Sequence, residues 1–386
     1  MKRVTLLLIV SLLPFAACAQ IALGAAQPHE YVPLLQGKRV GVTANHTSLV
    51  DGVHLVDVLL RNGVNVVRIY APEHGFRGTA DAGDLLSSSK DEATGLDIVS
   101  LYGKNHKPTP GHLQGIDCML FDMQDVGLRF FTYLSTLHYV MEACAEQGIP
   151  VVVLDRPNPN GHYVDGPILE PEHRSFVGLH PIPVVHGMTL GELAGMINGE
   201  RWLANGLQCT LTVIPCTGYT HHSRYALPVK PSPNLPNMQA VYLYASLCFF
   251  EGTAVSLGRG TAFPFQVFGH PDFKDVYRFS FTPEAVAGAA NPPLKGRTCY
   301  GVDLRRFPQA PLLGEGRIRL EWLLDAYRYF PSKDKFFLPY FATLWGTARV
   351  GRLIARGATE AEIRASWAAD VAAFKAQRAK YLLYGE

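Results

Sequence analysis

Four apolar stretches in the first half of this chain each run out into ionisable or amide side chains. "KRVGVTA" is followed by Asn45, His46 and Thr47, and "NVVRIY" (65–70) by Glu73, His74 and Arg77. "IDCMLF" gives way to Asp122, Gln124, Asp125 and Arg129, and "IPVVVL" to Asp155, Arg156, Asn158 and Asn160. Carboxyl groups set this way suit acid–base work on a glycosidic bond, which needs one acid held protonated and another ionised across the scissile linkage. Glu73, just past an apolar strand, is placed for a raised pKa through loss of solvent. Asp122, Asp125, Asp155 and the later Glu251, which follows "YASLCFF", are the acids available to complete a pair. A structural reading competes: Glu73 could be ion-paired with Arg77 or Arg129, and Asp155 with Arg156 could simply shape a sheet edge.

Other chemistries find less support. The fourteen histidines form no H-E-x-x-H or H-x-H motif, and His221-His222 are adjacent, so no metal is expected. His74, His138 and His186 could converge, but nothing in their spacing requires it. A G-x-S-x-G nucleophile elbow is missing. So are G-x-G-x-x-G after the first strand and the G-x-x-x-x-G-K-[ST] phosphate loop, which leaves Gly258-Arg259-Gly260 without the right flanks. No cofactor is therefore expected. With a formal charge of +2 and 18% charged residues, the chain has nothing to attract nucleic acid or an anionic membrane. The 11% aromatic content suits both a core and a sugar-stacking cleft.

The elements that position these residues are short Val/Ile/Leu runs alternating with helical stretches. They predict an α/β fold with a parallel sheet buried on both faces. Ligands of such sheets bind beyond the carboxyl ends of the strands, so all four clusters should converge on one edge. Thr189 with Glu192 three residues on reads as a capping box, which makes Glu192 structural. "LPVKPSPNLPNM" (227–238), with four prolines, must be extended and stiff. It marks the boundary between a domain over 28–235 and a smaller one over 236–386. Asn158, Asn160, Asn234 and Asn237 beside prolines could read sugar hydroxyls or serve as turn residues.

The N-terminus reads as an export signal over residues 1–19: Lys2 and Arg3, an apolar run to Leu13, then "FAACAQ". The run is too short to span a membrane. A lipoprotein-like box ending at Cys18 makes a lipid anchor the alternative, and the expected location is the periplasm. Of the seven cysteines, most read as small buried thiols, with Cys209 and Cys216 the nearest pair for oxidation.

Taken together, "APEHGFRG", "FDMQDVGLRFFTYLSTLHYVMEA", "VVVLDRPNPNGHYVDGPILE", "HPIPVVHGMTLGELAGMING", "PSPNLPNM" and "FEGTAVSLGRGTAFPFQ" resemble the exo-β-N-acetylmuramidase family, formerly a domain of unknown function. The resemblance runs from about Val40 to "FKAQRAKYLLY". It implies a Rossmann-like larger domain, a smaller α+β C-terminal domain and an active-site cleft between them. It further implies an exported glycoside hydrolase that releases N-acetylmuramic acid from the non-reducing end of peptidoglycan fragments, without a cofactor. The family's acid in "EHG" falls on Glu73; the second carboxylate stays open among Asp122, Asp125 and Glu251. The lactyl carboxylate of muramic acid calls for a guanidinium. Arg77 and Arg129 are favoured as lying past strand ends on the Glu73 side, with Arg156 and Arg259 also available; His74 and Asp155 complete the expected substrate contacts. The rival expectation is a non-catalytic periplasmic muropeptide- or sugar-binding protein using the same cleft, though a binder has no need of a glutamate at an apolar strand end.

Overall fold

The computed structural model describes residues 20–73, 75–77, 89–103 and 105–386. The expected export segment with Cys18, and His74, lie outside the described residues.

The strands in chain order are β1 (Arg39–Ala44), a two-stranded ribbon of β2 (Leu49–Val50) and β3 (Val53–His54), β4 (Asn65–Ala71), β5 (Ser89–Lys90), β6 (Asp97–Ser100), β7 (Cys118–Asp122), β8 (Val151–Leu154) and β9 (Leu211–Ile214). The main sheet runs β5-β6-β4-β1-β7-β8-β9. All its pairings are parallel except that of β5 with β6. Counted along the chain, the parallel strands stand in the order 3-2-1-4-5-6 of a doubly wound sheet, whose ligands gather beyond the strand ends at the reversal of strand order. Val42, aligned with Ile69 on one side and Leu120 on the other, packs on Leu55 and Leu59. Met119, Phe121, Val151 and Val153 face the opposite layer with Leu134, Leu137 and Leu193. β7 and β8 are wholly buried, which explains why they read as continuous apolar runs. Two four-residue strands, β6 and β9, do not stand out in the sequence because each is short and broken by polar residues, Asp97 and Ser100 in β6 and Thr212 in β9.

The helix Leu190–Gly199 starts at the expected box: the Glu192 N–H donates to Thr189 Oγ1 at 3.2 Å, and the Thr189 N–H to Glu192 Oε2 at 2.9 Å. Residues 227–237 carry neither helix nor strand. Beyond them lie the helix Met238–Leu247 and a three-stranded antiparallel sheet, β10 (Val267–His270), β12 (Cys299–Asp303) and β11 (Phe279–Phe281) in that order. The helices Glu321–Tyr329, Tyr340–Trp345, Arg349–Ala355 and Glu360–Arg378 follow. The two parts share one apolar core, in which Phe130 meets Phe249 edge-on at 5.7 Å and Phe249 stacks on Trp345 at 3.6 Å.

The last residues return to the first sheet. The Tyr384 hydroxyl donates to Asp155 Oδ2 at 2.6 Å at the end of β8, and the Leu383 N–H donates to Glu192 Oε1 at 2.8 Å. Cys118, Cys144, Cys209, Cys216, Cys248 and Cys299 are buried free thiols. The nearest pair in sequence is not bonded, for Cys216 Sγ donates to the Asp155 carbonyl at 3.2 Å instead. Among the described residues no helix is long and apolar enough to cross a membrane.

Candidate active-site cleft

Glu73 leaves the end of β4 in a tight turn. The Gly75 N–H donates to the Pro72 carbonyl at 3.1 Å with Gly75 at φ 76°, a conformation that side-chain-bearing residues rarely adopt. That turn is the local reason for glycine in "EHG", and it delivers the half-buried Glu73 carboxyl to a cleft of about 250 Å³. The first part of the chain supplies Glu73, Tyr102 just past β6, and Thr132 before the helix Tyr133–Glu146. The proline-rich link gives Ser232 and Asn234, and the second part Tyr244, Glu251, Arg259 and Tyr340. The cleft therefore lies where the two parts meet. Its volume lies just below the roughly 300 Å³ at which ligand pockets usually start, which suits one sugar ring rather than a long glycan.

Burial pushes the Glu73 carboxyl above its ordinary pKa and outweighs the Tyr102 hydroxyl, the charge of Arg259 and the Thr132 hydroxyl, all of which favour the anion; the Glu251 charge adds to the rise. The Thr132 contact is long, 3.5 Å from Oγ1 to Glu73 Oε2. Burial and the neighbouring Glu73 push Tyr102 up to about 12, so it stays a neutral donor. Across the cleft, Arg259 Nε donates to Glu251 Oε1 at 2.5 Å, while Cys248 Sγ donates to Glu251 Oε2 at 3.7 Å. The Arg259 guanidinium lies over the Phe265 ring at 5.1 Å. Its two terminal amines hydrogen-bond to no described residue, and Arg259 is the one cation lining the cleft among the described residues.

Of the residues expected at the site, Glu73, Asn234, Glu251 and Arg259 come together. Arg77 does not: its guanidinium is held by Asp91 at 2.8 and 2.9 Å. Arg129 is buried away from the cleft, donating to the carbonyls of Pro167, Ile182 and Leu344. Neither arginine pairs with Glu73, which removes the structural reading of that glutamate. Asp122 is locked to Arg156 by two hydrogen bonds of 2.5 and 2.9 Å. Asp155 accepts from Thr189, Tyr384 and the Gly191 N–H, so it is a strut of the sheet edge. Burial raises its pKa to about 6 even so.

Asp125 is buried and does not line the cleft, accepting from the Gly127 N–H at 2.6 Å with Oδ1 unpartnered among the described residues. Asn158 and Asn160 brace backbone, donating to the carbonyls of Met188 and Val126. At Gly127 (φ 81°) a Cβ would stand 2.1 Å from the Asn158 amide, so that turn admits only glycine. Asn237 caps the helix Met238–Leu247, accepting from the Ala240 N–H at 3.0 Å. His74 lies outside the described residues.

The charged clusters thus diverge. The ends of β4 and β6 face the cleft, whereas the end of β8 is sealed by the returning chain. Sequence reasoning missed Tyr102, Thr132, Phe176 and Tyr340; the aromatic-rich "LRFFTY" is the one signal that points to this wall. Glu170, Glu172 and His173 bring metal-type ligand atoms within 4.8 Å of one another, with Glu170 also paired to Arg349 at 3.4 Å. None of the three lines the cleft.

Two family models match the chain: the N-terminal region of exo-beta-N-acetylmuramidase NamZ over residues 40–239, and its C-terminal region over residues 242–384. The chain is 38% identical over 376 residues to the peptidoglycan beta-N-acetylmuramidase NamZ of Bacillus subtilis, covering 92% of this chain and 89% of that protein. Two DUF1343 family proteins of Bacteroides fragilis share the fold. BF0379 superposes with a TM-score of 0.89 at 49% identity, over 95% of this chain and 100% of that one. BF0371 gives 0.80 at 29% identity, over 94% and 99%.

Proposed function

The chain belongs to the exo-β-N-acetylmuramidase family, and from that premise we propose how its cleft does the family's work. The protein is a glycoside hydrolase, an exo-β-N-acetylmuramidase acting on peptidoglycan. The alternative of a non-catalytic sugar-binding protein finds no support in these relationships.

The reading of the site rests on one observation: a desolvated Glu73 shares a one-sugar cleft with an arginine whose terminal amines bond to none of the described residues. A terminal N-acetylmuramic acid at the non-reducing end enters with its lactyl carboxylate on Arg259, a pairing that a guanidinium makes bidentately. Glu251 holds Arg259 in place by taking its Nε–H. Glu73, whose proton burial holds more tightly than that of an ordinary carboxyl, gives that proton to the glycosidic oxygen as the bond from the anomeric carbon breaks. Water adds to that carbon, and the proton it sheds restores the Glu73 carboxyl. The aromatic wall of Phe130, Phe131, Tyr244 and Tyr340 excludes bulk water and strengthens both electrostatic contacts.

Export to the periplasm, with cleavage before Gln20 or lipidation at Cys18, belongs to the same proposal and is supported by Lys2, Arg3 and the apolar run that follows. Turnover of a chromogenic N-acetylmuramide by wild type and by Glu73→Gln tests the catalytic reading. Undiminished turnover in the variant removes Glu73 from the chemistry. Mass spectrometry of protein from the native host tests the export reading, and an intact Met1 end rejects it.

A further inference from the structure

Four aromatic side chains at the rim of the cleft are half-buried and lie outside the packed apolar cores. Tyr102, beside Glu73, meets the His106 ring edge-on at 6.3 Å. His106 stacks on Phe176 at 3.9 Å with 23° between the planes. Phe176 in turn lies nearly parallel to Tyr139, 8° apart at 6.3 Å. Tyr102 and Phe176 line the cleft, whereas His106 and Tyr139 do not, so the run of rings passes from the wall beside Glu73 to the outside. The Phe176 backbone is pinned, its carbonyl accepting from Ser135 Oγ at 2.6 Å on the helix Tyr133–Glu146. Half-exposed aromatic rings held in register beside a polar site are unusual unless something covers them.

The position of the acid says what that something is. A general acid stands at the junction between the sugar being released and its leaving group, because it protonates the oxygen between them. The cleft has room for one ring, so the rest of the fragment must leave past the rim. A β-linked hexosamine presents a face of axial C–H bonds that packs flat on an aromatic ring, as other apolar faces do. We propose that Phe176, backed by His106 and flanked by Tyr139, is the platform for the sugar on the leaving-group side of the scissile bond. Its ligand is the N-acetylglucosamine ring of the peptidoglycan strand. This assignment rests on the reading of Glu73 as the acid and adds a binding site that the acid alone does not require.

The test compares two substrates. Methyl β-N-acetylmuramide has no ring on the leaving-group side; the disaccharide of N-acetylmuramic acid linked to N-acetylglucosamine does. Phe176→Leu keeps apolar volume but loses the flat face, and Phe176→Trp keeps a face. The ratio of kcat/KM on the disaccharide to that on the methyl glycoside is expected to fall about tenfold in Phe176→Leu, the scale of one lost aromatic contact, and to persist in Phe176→Trp. An unchanged ratio in Phe176→Leu, or an equal fall in both variants, overturns the platform. If both variants unfold at the wild-type temperature yet lose both activities, Phe176 serves the chemical step and the assignment is likewise overturned. If they unfold early, inhibition of the wild-type enzyme by free N-acetylglucosamine decides: the platform requires weaker inhibition in His106→Ala, and equal inhibition rejects it. Failure of the underlying reading looks different, as undiminished turnover of both substrates by Glu73→Gln.

Discussion

Arg259 meets Glu251 through Nε at 2.5 Å, which leaves both terminal amines of the guanidinium uncommitted among the described residues. The pair stands in the cleft against Phe265 and Cys248 of the core, with the Arg259 charge felt at Glu73 itself. In the mechanism proposed above, Glu251 orients the arginine and Glu73 supplies the proton, which gives the two glutamates of the cleft different jobs.

Replacing Arg259 with Met should depress activity on an N-acetylmuramide far more than on the matching N-acetylglucosaminide. Losing one member of a buried charge pair costs about 2–5 kcal/mol, so the preference should narrow by more than about thirtyfold. Arg77→Met is the control, because Arg77 is committed to Asp91 outside the cleft. Parallel kcat/KM measurements on the two glycosides check both. A ratio that survives in Arg259→Met would give lactyl recognition to amides or backbone.

Glu73→Gln should fold normally and lose kcat by about 10²–10⁴, the range for a general acid. The active form is the protonated one, and burial raises the pKa. Activity should thus hold on the acid side of that raised value and fall as pH climbs through it. A pH–rate profile whose alkaline limb vanishes in the residual activity of Glu73→Gln ties the limb to this carboxyl.

Glu251→Gln keeps an acceptor for Arg259 but removes its charge. The expected result is a KM on the muramide raised about tenfold with a smaller change in kcat, the pattern of weakened ground-state and transition-state binding together. A loss confined to kcat would return Glu251 to the chemistry.

Asp125 predicts a stability effect rather than a catalytic one. Burial raises its pKa to about 7, against about 3.9 when unfolded. The neighbouring His186, 4.0 Å away, is held neutral by burial and then by Arg378 and Arg129, its pKa lowered to about 3. The folded state therefore keeps the Asp125 proton more tightly than the unfolded chain does. The resulting stabilisation is complete below the unfolded value and is lost as pH rises through about 7. Asp125→Asn has no such loss, so its stability relative to wild type should grow between about pH 4.5 and about pH 8, by on the order of 1 kcal/mol per pH unit. Urea midpoints at both pH values measure it.

Much of this molecule is legible in its sequence, for reasons specific to its residues. β7 and β8 stand out because burial on both faces demands apolar runs, β1 and β4 because most of their residues are apolar and buried, and Thr189 with Glu192 marks a helix start. Glu73 stands out because an acid directly after such a run has few structural excuses. Which of the four charged strand ends faces the ligand is not legible. Asp122, Asp125, Asp155, Arg77 and Arg129 carry the same residue types as a binding site, but their partners come from distant segments such as Asp91, Leu344 and Tyr384. Only three-dimensional pairing distinguishes a committed charge from a free one. The aromatic rim is hidden for a related reason: His106 and Phe176 are far apart along the chain and meet only through the fold.

The hydroxyl that Tyr384 gives to Asp155 ties the end of β8 to a residue 229 positions further along the chain. A contact between segments that far apart forms only once the intervening chain is folded, because closing so long a loop costs entropy before any contact repays it. The edge of β8 and the segment around Tyr384 therefore form and melt together, as one cooperative unit.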